Sequence, residues 1–372
     1  MMFYWGMAFI LYFLALFCSV KEQKTNVGIL GIGKISMFLF VSITIIIGGI
    51  RWETGTDWLP YYYFFHENVT WKQFNTHPMN FEYSYSLLNF IVKYLFNSYT
   101  ILLLINSFIV IFFQYKIIKS IALYPAISYF LFFCDNIGGM FPVRQTIAIA
   151  VALTSIPYIH KKNILIFILI SILATSFHFS LILWLFAYPL YHIRIHSYII
   201  IILFIVATTI GIFSTNLIIL AIEIISDIFN IPVNILTRIW FIWADYSDGS
   251  FSLFNVIRSM LKRVLFLTIF LLFRYKLIQK YIYANGFINI YLVSVIIHSF
   301  FGFNEALMPI GRVVSVFLFF EVLLLPSIIS LCKDNITKHF IICLFLLYGI
   351  MKLHSGINMY PELFIPYNSI FN

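Results

Sequence analysis

The chain has 372 residues, 62% of them hydrophobic and 10% charged, and its mean hydropathy is +0.98. Soluble domains carry about 25% charged residues, so a soluble globular protein is excluded and a polytopic membrane protein is implied. The net charge of +9 invites a nucleic-acid partner, but the distribution of the basic residues along the chain removes that reading.

The opening Met1-Met2-Phe3-Tyr4-Trp5 lacks the basic start of a signal peptide, and no small-residue cleavage site follows. The first apolar run is therefore expected to stay as a span. Apolar runs divided by polar breaks predict spans near 3–20, 35–50, 98–115, 121–134, 143–159, 163–177, 178–193, 197–213, 264–273, 287–303, 312–331 and 339–353. Several fall short of the length of a perpendicular helix, so the expectation is an all-α polytopic integral membrane protein with about 10–12 transmembrane helices. These form a single membrane domain over 1–372, with short interfacial helices.

Local signals refine the pattern. A helix is predicted to begin at Trp58, with Thr56 or Asp57 as cap and Pro60 tolerated in the first turn. An amphipathic segment is predicted from Glu82 through Ile91, along the membrane interface. The run bracketed by Lys162 and Arg194 is too long for one span and reads as a hairpin turning near Phe177-His178-Phe179-Ser180. Cys18, Cys134, Cys332 and Cys343 lie in or beside apolar runs without paired spacing and read as small hydrophobes.

Cytoplasmic loops collect Lys and Arg. Alternate breaks carry Lys21/Lys24/Lys34, Lys116/Lys119, Lys161/Lys162, Arg194, Arg274/Lys276/Lys280 and Lys333/Lys338, accompanied only by Glu22 and Asp334. The opposite breaks hold nearly all the acids, among them Glu53, Asp57, Glu67, Glu82, Asp135, Asp245, Asp248, Glu305 and Glu362. The asymmetry predicts that both termini and the regions 51–97 and 214–263 lie outside the cytoplasm. The positive charge is then topology, and nucleic-acid binding drops out.

Three arginines fall at span ends on that predicted outer face, where positive charge is disfavoured: Arg51, Arg144 and Arg312. Arginine binds phosphate through a two-pronged, permanently charged contact, so a converging set suits a pyrophosphate. The alternative is that each snorkels to lipid headgroups. Arg258, Lys262 and Arg263 open the ninth span and admit the same two readings. His178 is a candidate base for a sugar hydroxyl, and Asp57 and Glu82 are further candidate functional groups on the same predicted face. Each has a structural alternative: a helix cap for Asp57, a first-turn acid favoured by the helix dipole for Glu82, and a carbonyl-bound structural histidine for His178. No HExxH, nucleophile elbow, P-loop or zinc spacing is present, so no metal or cofactor is expected.

The pattern Arg51-x-x-x-Gly55-Thr56-Asp57-x-x-x-Tyr61 after the second span resembles the hallmark of the EpsG-like proteins, a branch of the Wzy-type O-antigen and capsule polysaccharide polymerases. The resemblance continues through Glu82, Arg144-Gln145, Phe177-His178-Phe179-Ser180, Arg312 and the Tyr360-Pro361…Pro366-Tyr367 tail. Trp58 stands where that family often has tyrosine. The resemblance implies a multi-pass glycosyltransferase of the bacterial cytoplasmic membrane, with its active site facing outward. It would join oligosaccharide repeat units carried on undecaprenyl pyrophosphate, without a cofactor. The bilayer, a flippase and a chain-length regulator are the further partners it suggests. Catalysis would fall to Asp57, Glu82 and His178, and substrate binding to Arg51, Tyr61, Arg144, Arg312, Arg258 and Arg263. The loop around Arg238, Trp240, Trp243, Asp245 and Asp248 offers aromatic and polar groups for sugars. A polysaccharide flippase or transporter and a membrane O-acyltransferase are the competing readings.

Overall fold

Long runs of Ile, Leu and Phe can satisfy their backbone within hydrocarbon only as helices or closed barrels, and here they form helices. The computed structural model describes residues 1–21, 27–77, 79, 81–213, 224, 253–301, 303 and 314–371. Among these, the regular elements are all helices, joined by turns, bends and extended links, with one isolated bridge between Arg51 and Ser369. The chain divides into two compact units, Met1–Tyr188 with Leu325–Asn372, and Pro189–Leu324.

In the first unit α1 (Met2–Lys21) and α2 (Val27–Ile50) are long apolar helices. A turn follows, and then α3 (Trp58–Glu67) begins where the cap and Pro60 predict. It buries Trp58, Tyr61, Phe64 and Phe65, a stripe at helical spacing. The short α4 (Trp71–Asn75) is fastened by a capping box between Thr70 and Gln73. The amphipathic segment is α5 (Tyr83–Phe96), which buries Tyr85, Ser86, Asn89 and Val92 on one side. The region 51–97 is thus a helical layer around an aromatic core of Trp58, Tyr61, Phe64, Phe74, Tyr85 and Tyr99.

That layer stands on α6 (Tyr99–Ile121), against which α2 packs. A side chain at Gly49 would meet the Leu104 Cα at 2.8 Å, so only glycine lets the two backbones approach this closely. Next, α7 (Pro125–Asn136) ends at Ile137, Gly138 and Gly139, all at positive φ. α8 (Arg144–Leu153), α9 (Ile156–His160) and α10 (Ile164–Phe177) follow. The chain breaks at His178, and a 3-10 segment over Phe179–Phe186 lies against α10, so the predicted turn is present.

Four described stretches are long and apolar enough to cross a membrane: Gly33–Ile50, Tyr99–Ile121, Ala284–Phe301 and Asn335–Met359. Five further apolar helices have 10–17 residues. The all-α membrane architecture is as expected, but the described helices do not supply about 10–12 full-length spans. Local breaks are the reason. The expected span at 121–134 becomes α7, of 12 residues, too short to cross. The expected span at 143–159 divides between α8 and α9, where the hydroxyls of Thr154 and Ser155 turn back onto the carbonyls of Val151 and Ala152, each at 2.6 Å.

In the second unit the helix Leu253–Leu272 starts well before the predicted ninth span and carries Arg258, Lys262 and Arg263. The Arg274 guanidinium donates to the Ile195 carbonyl at 2.6 Å, and to Asn285 and Asn289 at 2.6 and 3.1 Å. Asn289 in turn donates to the carbonyls of Leu190 and Ile193, at 3.0 and 2.7 Å. Arg274, read from sequence as a loop charge, therefore ties the chain around 190–195 to the helix Ala284–Phe301.

Candidate active site

Arg51, the first residue after α2, has no accessible surface (0%). Its Nη1 donates to the Thr54 carbonyl at 3.3 Å and its Nη2 to the Pro142 carbonyl at 3.4 Å. The guanidinium carbon lies 5.4 Å from the centre of the Phe141 ring. Gly55, at φ 97°, completes the enclosure: a Cβ there would sit 2.6 Å from Phe141 and 2.8 Å from Arg51 Nη1. The expected direct grip of Arg51 on a phosphate is therefore not the arrangement found. Both prongs hold main-chain carbonyls, and the guanidinium has no surface to offer a substrate.

The C-terminal segment closes the same turn from the other side. Trp52 N–H donates to the Asn368 carbonyl at 3.0 Å, Gly55 N–H to Leu363 at 2.6 Å and Ile370 N–H to Ile50 at 2.9 Å. The Tyr367 hydroxyl donates to the Ile47 carbonyl at 2.6 Å, and Tyr4 reaches the Phe364 carbonyl at 2.7 Å. Sequence reasoning recorded this tail only as a short motif. Three of these ties are main-chain bonds, which no side-chain pattern announces, and the hydroxyls of Tyr367 and Tyr4 add two more.

Pro142 stands two residues before Arg144, so the Arg51 joint also fixes where α8 begins. There the Val143 N–H donates to the Thr146 hydroxyl at 2.9 Å, and the Arg144 N–H to the Tyr61 hydroxyl at 3.4 Å. The Arg144 side chain forms an ion pair with Glu82, and its guanidinium carbon lies 4.1 Å from the centre of the Phe81 ring. The Arg144 Nε is buried without a hydrogen-bond partner, while the two side chains of the pair retain 23% and 22% of their exposure. Glu82 occupies the N-cap position of α5 but makes no side-chain cap there. Its other carboxylate oxygen accepts the Phe179 N–H at 3.3 Å. Ser84 and Ser176 are hydrogen-bonded at 2.6 Å, a second tie between α5 and α10.

His178 precedes Phe179, so Glu82 holds the histidine turn beside Arg144. The His178 Nδ1 lies 2.7 Å from the Ser180 hydroxyl. Burial lowers the imidazole's affinity for a proton; Glu82 partly restores it and Arg144 opposes it, leaving a pKa below the ordinary histidine value. The ring is accordingly neutral near pH 7. The same Nδ1 accepts the Ser180 N–H at 3.4 Å, so the neutral ring carries its proton on Nε2.

Asp57 stands at the N-cap position of α3, in a left-handed conformation (φ 58°), and makes no side-chain cap. The capping alternative therefore fails for its side chain, which is exposed. Burial, and after it the charge of Asp57, raises the pKa of Tyr61, whose hydroxyl accepts the Arg144 N–H. Six of the expected site residues, Arg51, Asp57, Tyr61, Glu82, Arg144 and His178, thus belong to one unit, and all but Arg51 and Asp57 touch or face one another. Arg258, exposed, and Arg263, buried, belong to the other unit. In that unit Lys262 pairs with Glu321 at 3.2 Å. Sequence reasoning passed over Glu321, although a lone acid in an apolar run was a usable signal. Arg312, Glu305 and the loop from Arg238 to Asp248 lie outside the described residues.

The helices and this cluster of charged groups define a multispanning all-α membrane protein with a polar site built on the helical layer after its second helix. The model of the EpsG family matches residues 34–369, nearly the whole chain, and the chain belongs to that family. It is accordingly a membrane protein of polysaccharide biosynthesis. Searches of curated proteins and of solved structures return no match.

Proposed function

We propose that the chain is a polysaccharide polymerase, a glycosyltransferase that joins oligosaccharide repeat units carried on undecaprenyl pyrophosphate at the outer face of the bacterial cytoplasmic membrane. The observation that carries this reading is the meeting of Arg144 with the His178 turn through Glu82. Transfer from a lipid pyrophosphate needs a fixed positive charge for the leaving group and a base for the acceptor. These two residues have those properties.

In the reaction the acceptor sugar hydroxyl gives its proton to the neutral His178 imidazole as its oxygen bonds to the anomeric carbon of the donor glycan. The bond from that carbon to the pyrophosphate oxygen breaks, and the electron pair leaves with the pyrophosphate. Arg144 faces the charge that develops there, and a preorganised cation stabilises it more than it stabilises the ground state. Glu82 is already engaged by Arg144 and the Phe179 N–H, which leaves the imidazole as the better base. Asp57 is the second candidate, since its carboxylate is exposed and makes no cap. Arg51 acts through the main chain, by holding the segment that leads into Arg144.

The test is a glycan ladder from a strain lacking the gene, complemented in turn with wild type, Arg144→Gln and His178→Gln. The expected result is surface glycan with a single repeat unit in the deletion strain and in both variants. Loss of all surface glycan, single units included, would favour a flippase. Long chains lacking only acyl groups would favour an O-acyltransferase.

A further inference from the structure

The Glu82 carboxylate is held like a bound anion. One oxygen takes the Arg144 guanidinium and the other takes the Phe179 N–H at 3.3 Å, an amide at the start of a helical segment. Such amides, with a guanidinium beside them, are the donors that proteins direct at phosphate oxygens. Both members of the pair are partly exposed, so an anion arriving from outside reaches the same donors. Arg144 Nε is buried without a hydrogen-bond partner, so the positions open to an arriving anion are those that Glu82 now takes. Phe81, stacked on the guanidinium at 4.1 Å, fixes its plane independently of Glu82.

We infer that Arg144 and the Phe179 amide form a phosphate subsite and that Glu82 occupies it as an internal competitor until substrate arrives. This rests on the polymerase reading only for the identity of the natural ligand, a pyrophosphate ester. Glu82 is then a gate and not a base. Displaced from Arg144, it frees the cation for the leaving group, and when product departs it returns to the same donors and helps expel the pyrophosphate.

The experiment uses the full-length protein in nanodiscs of neutral lipid, titrated calorimetrically with inorganic pyrophosphate. Wild type is expected to bind weakly. Glu82→Gln, nearly the same shape but without the competing charge, is expected to bind roughly tenfold tighter or more, the scale of one lost charged hydrogen-bond competitor. Adding Arg144→Gln to it should abolish the gain. Binding in Glu82→Gln no tighter than in wild type, with the variant monodisperse and melting as wild type, overturns the inference. So does a gain that survives the double substitution. Repeating the titration with anionic lipid separates the two sources of phosphate: a gain confined to lipid headgroups, absent for pyrophosphate, also overturns it. Pyrophosphate binding is read without any polymer being made. A failed glycan ladder with the predicted binding pattern would therefore discard the polymerase and keep the gate.

Discussion

The guanidinium of Arg51 donates to the carbonyl of Pro142, 91 residues further along the chain, at 3.4 Å. One buried side chain thus couples the turn after α2 to the segment that opens α8. The residue singled out first from sequence as a substrate ligand is a joint between two parts of the site.

Arg51→Ala and Arg51→Lys are both expected to lower stability by roughly 2–4 kcal/mol. They leave the Thr54 and Pro142 carbonyls poorly satisfied and, for alanine, a cavity as well. Lysine cannot span both carbonyls as a planar fork does. Thermal unfolding in detergent measures this. An Arg51→Ala protein that melts as wild type yet makes no polymer would instead mark Arg51 as a substrate contact.

For Arg144→Gln the expectation is normal insertion and a fall in polymerisation of about 10²–10³-fold, the scale for removing one preorganised donor to a developing charge. Initial rates with lipid-linked repeat units in nanodiscs give the number. A rate within threefold of wild type, on the order of what a peripheral contact contributes, would exclude Arg144 from the leaving-group site.

The pH profile tests His178. Burial lowers its folded-state pKa, so the neutral, proton-accepting form persists below the usual value of about 6.5. Activity should hold as pH falls to that value and decline only as it passes through the lowered pKa. Glu82 supports the imidazolium, so any residual activity of Glu82→Gln should lose its acidic limb at still lower pH. An acidic limb lying above 6.5 in wild type would contradict the assignment.

Ending the chain after Met359 removes the strap that receives the Trp52 and Gly55 amides. Trypsin should then cut after Arg51, which is fully buried in the intact protein, and polymerisation should fall while α1 and α2 stay inserted. Tyr367→Phe, which loses one hydrogen bond to the Ile47 carbonyl, should cost about 0.5–1.5 kcal/mol. An unchanged tryptic pattern in the truncated protein would show that the strap does not hold the turn.

Much of this was legible from residues alone. Apolar runs determined the helical membrane class, because hydrocarbon leaves the backbone no open alternative. Pro60 after Gly55-Thr56-Asp57 marked the start of α3, although no side chain caps it, and the amphipathic run from Glu82 through Ile91 marked α5, because local signals act over a turn or two. The break at His178 was visible because its flanking run exceeds one span. The family, too, was legible from spaced motifs.

Tertiary structure decided the rest. A sequence lists Arg51 and Arg144 as equivalent arginines at helix ends. Only packing puts one against two carbonyls with no surface and the other beside Glu82 within reach of solvent. The Phe179 amide and the backbone bonds of Leu363, Asn368 and Ile370 come from main-chain groups that every residue carries, so nothing in the sequence distinguishes them. The physical reason is range: propensity and hydropathy are set by neighbours along the chain, whereas burial and pairing are set by residues tens to hundreds of positions away.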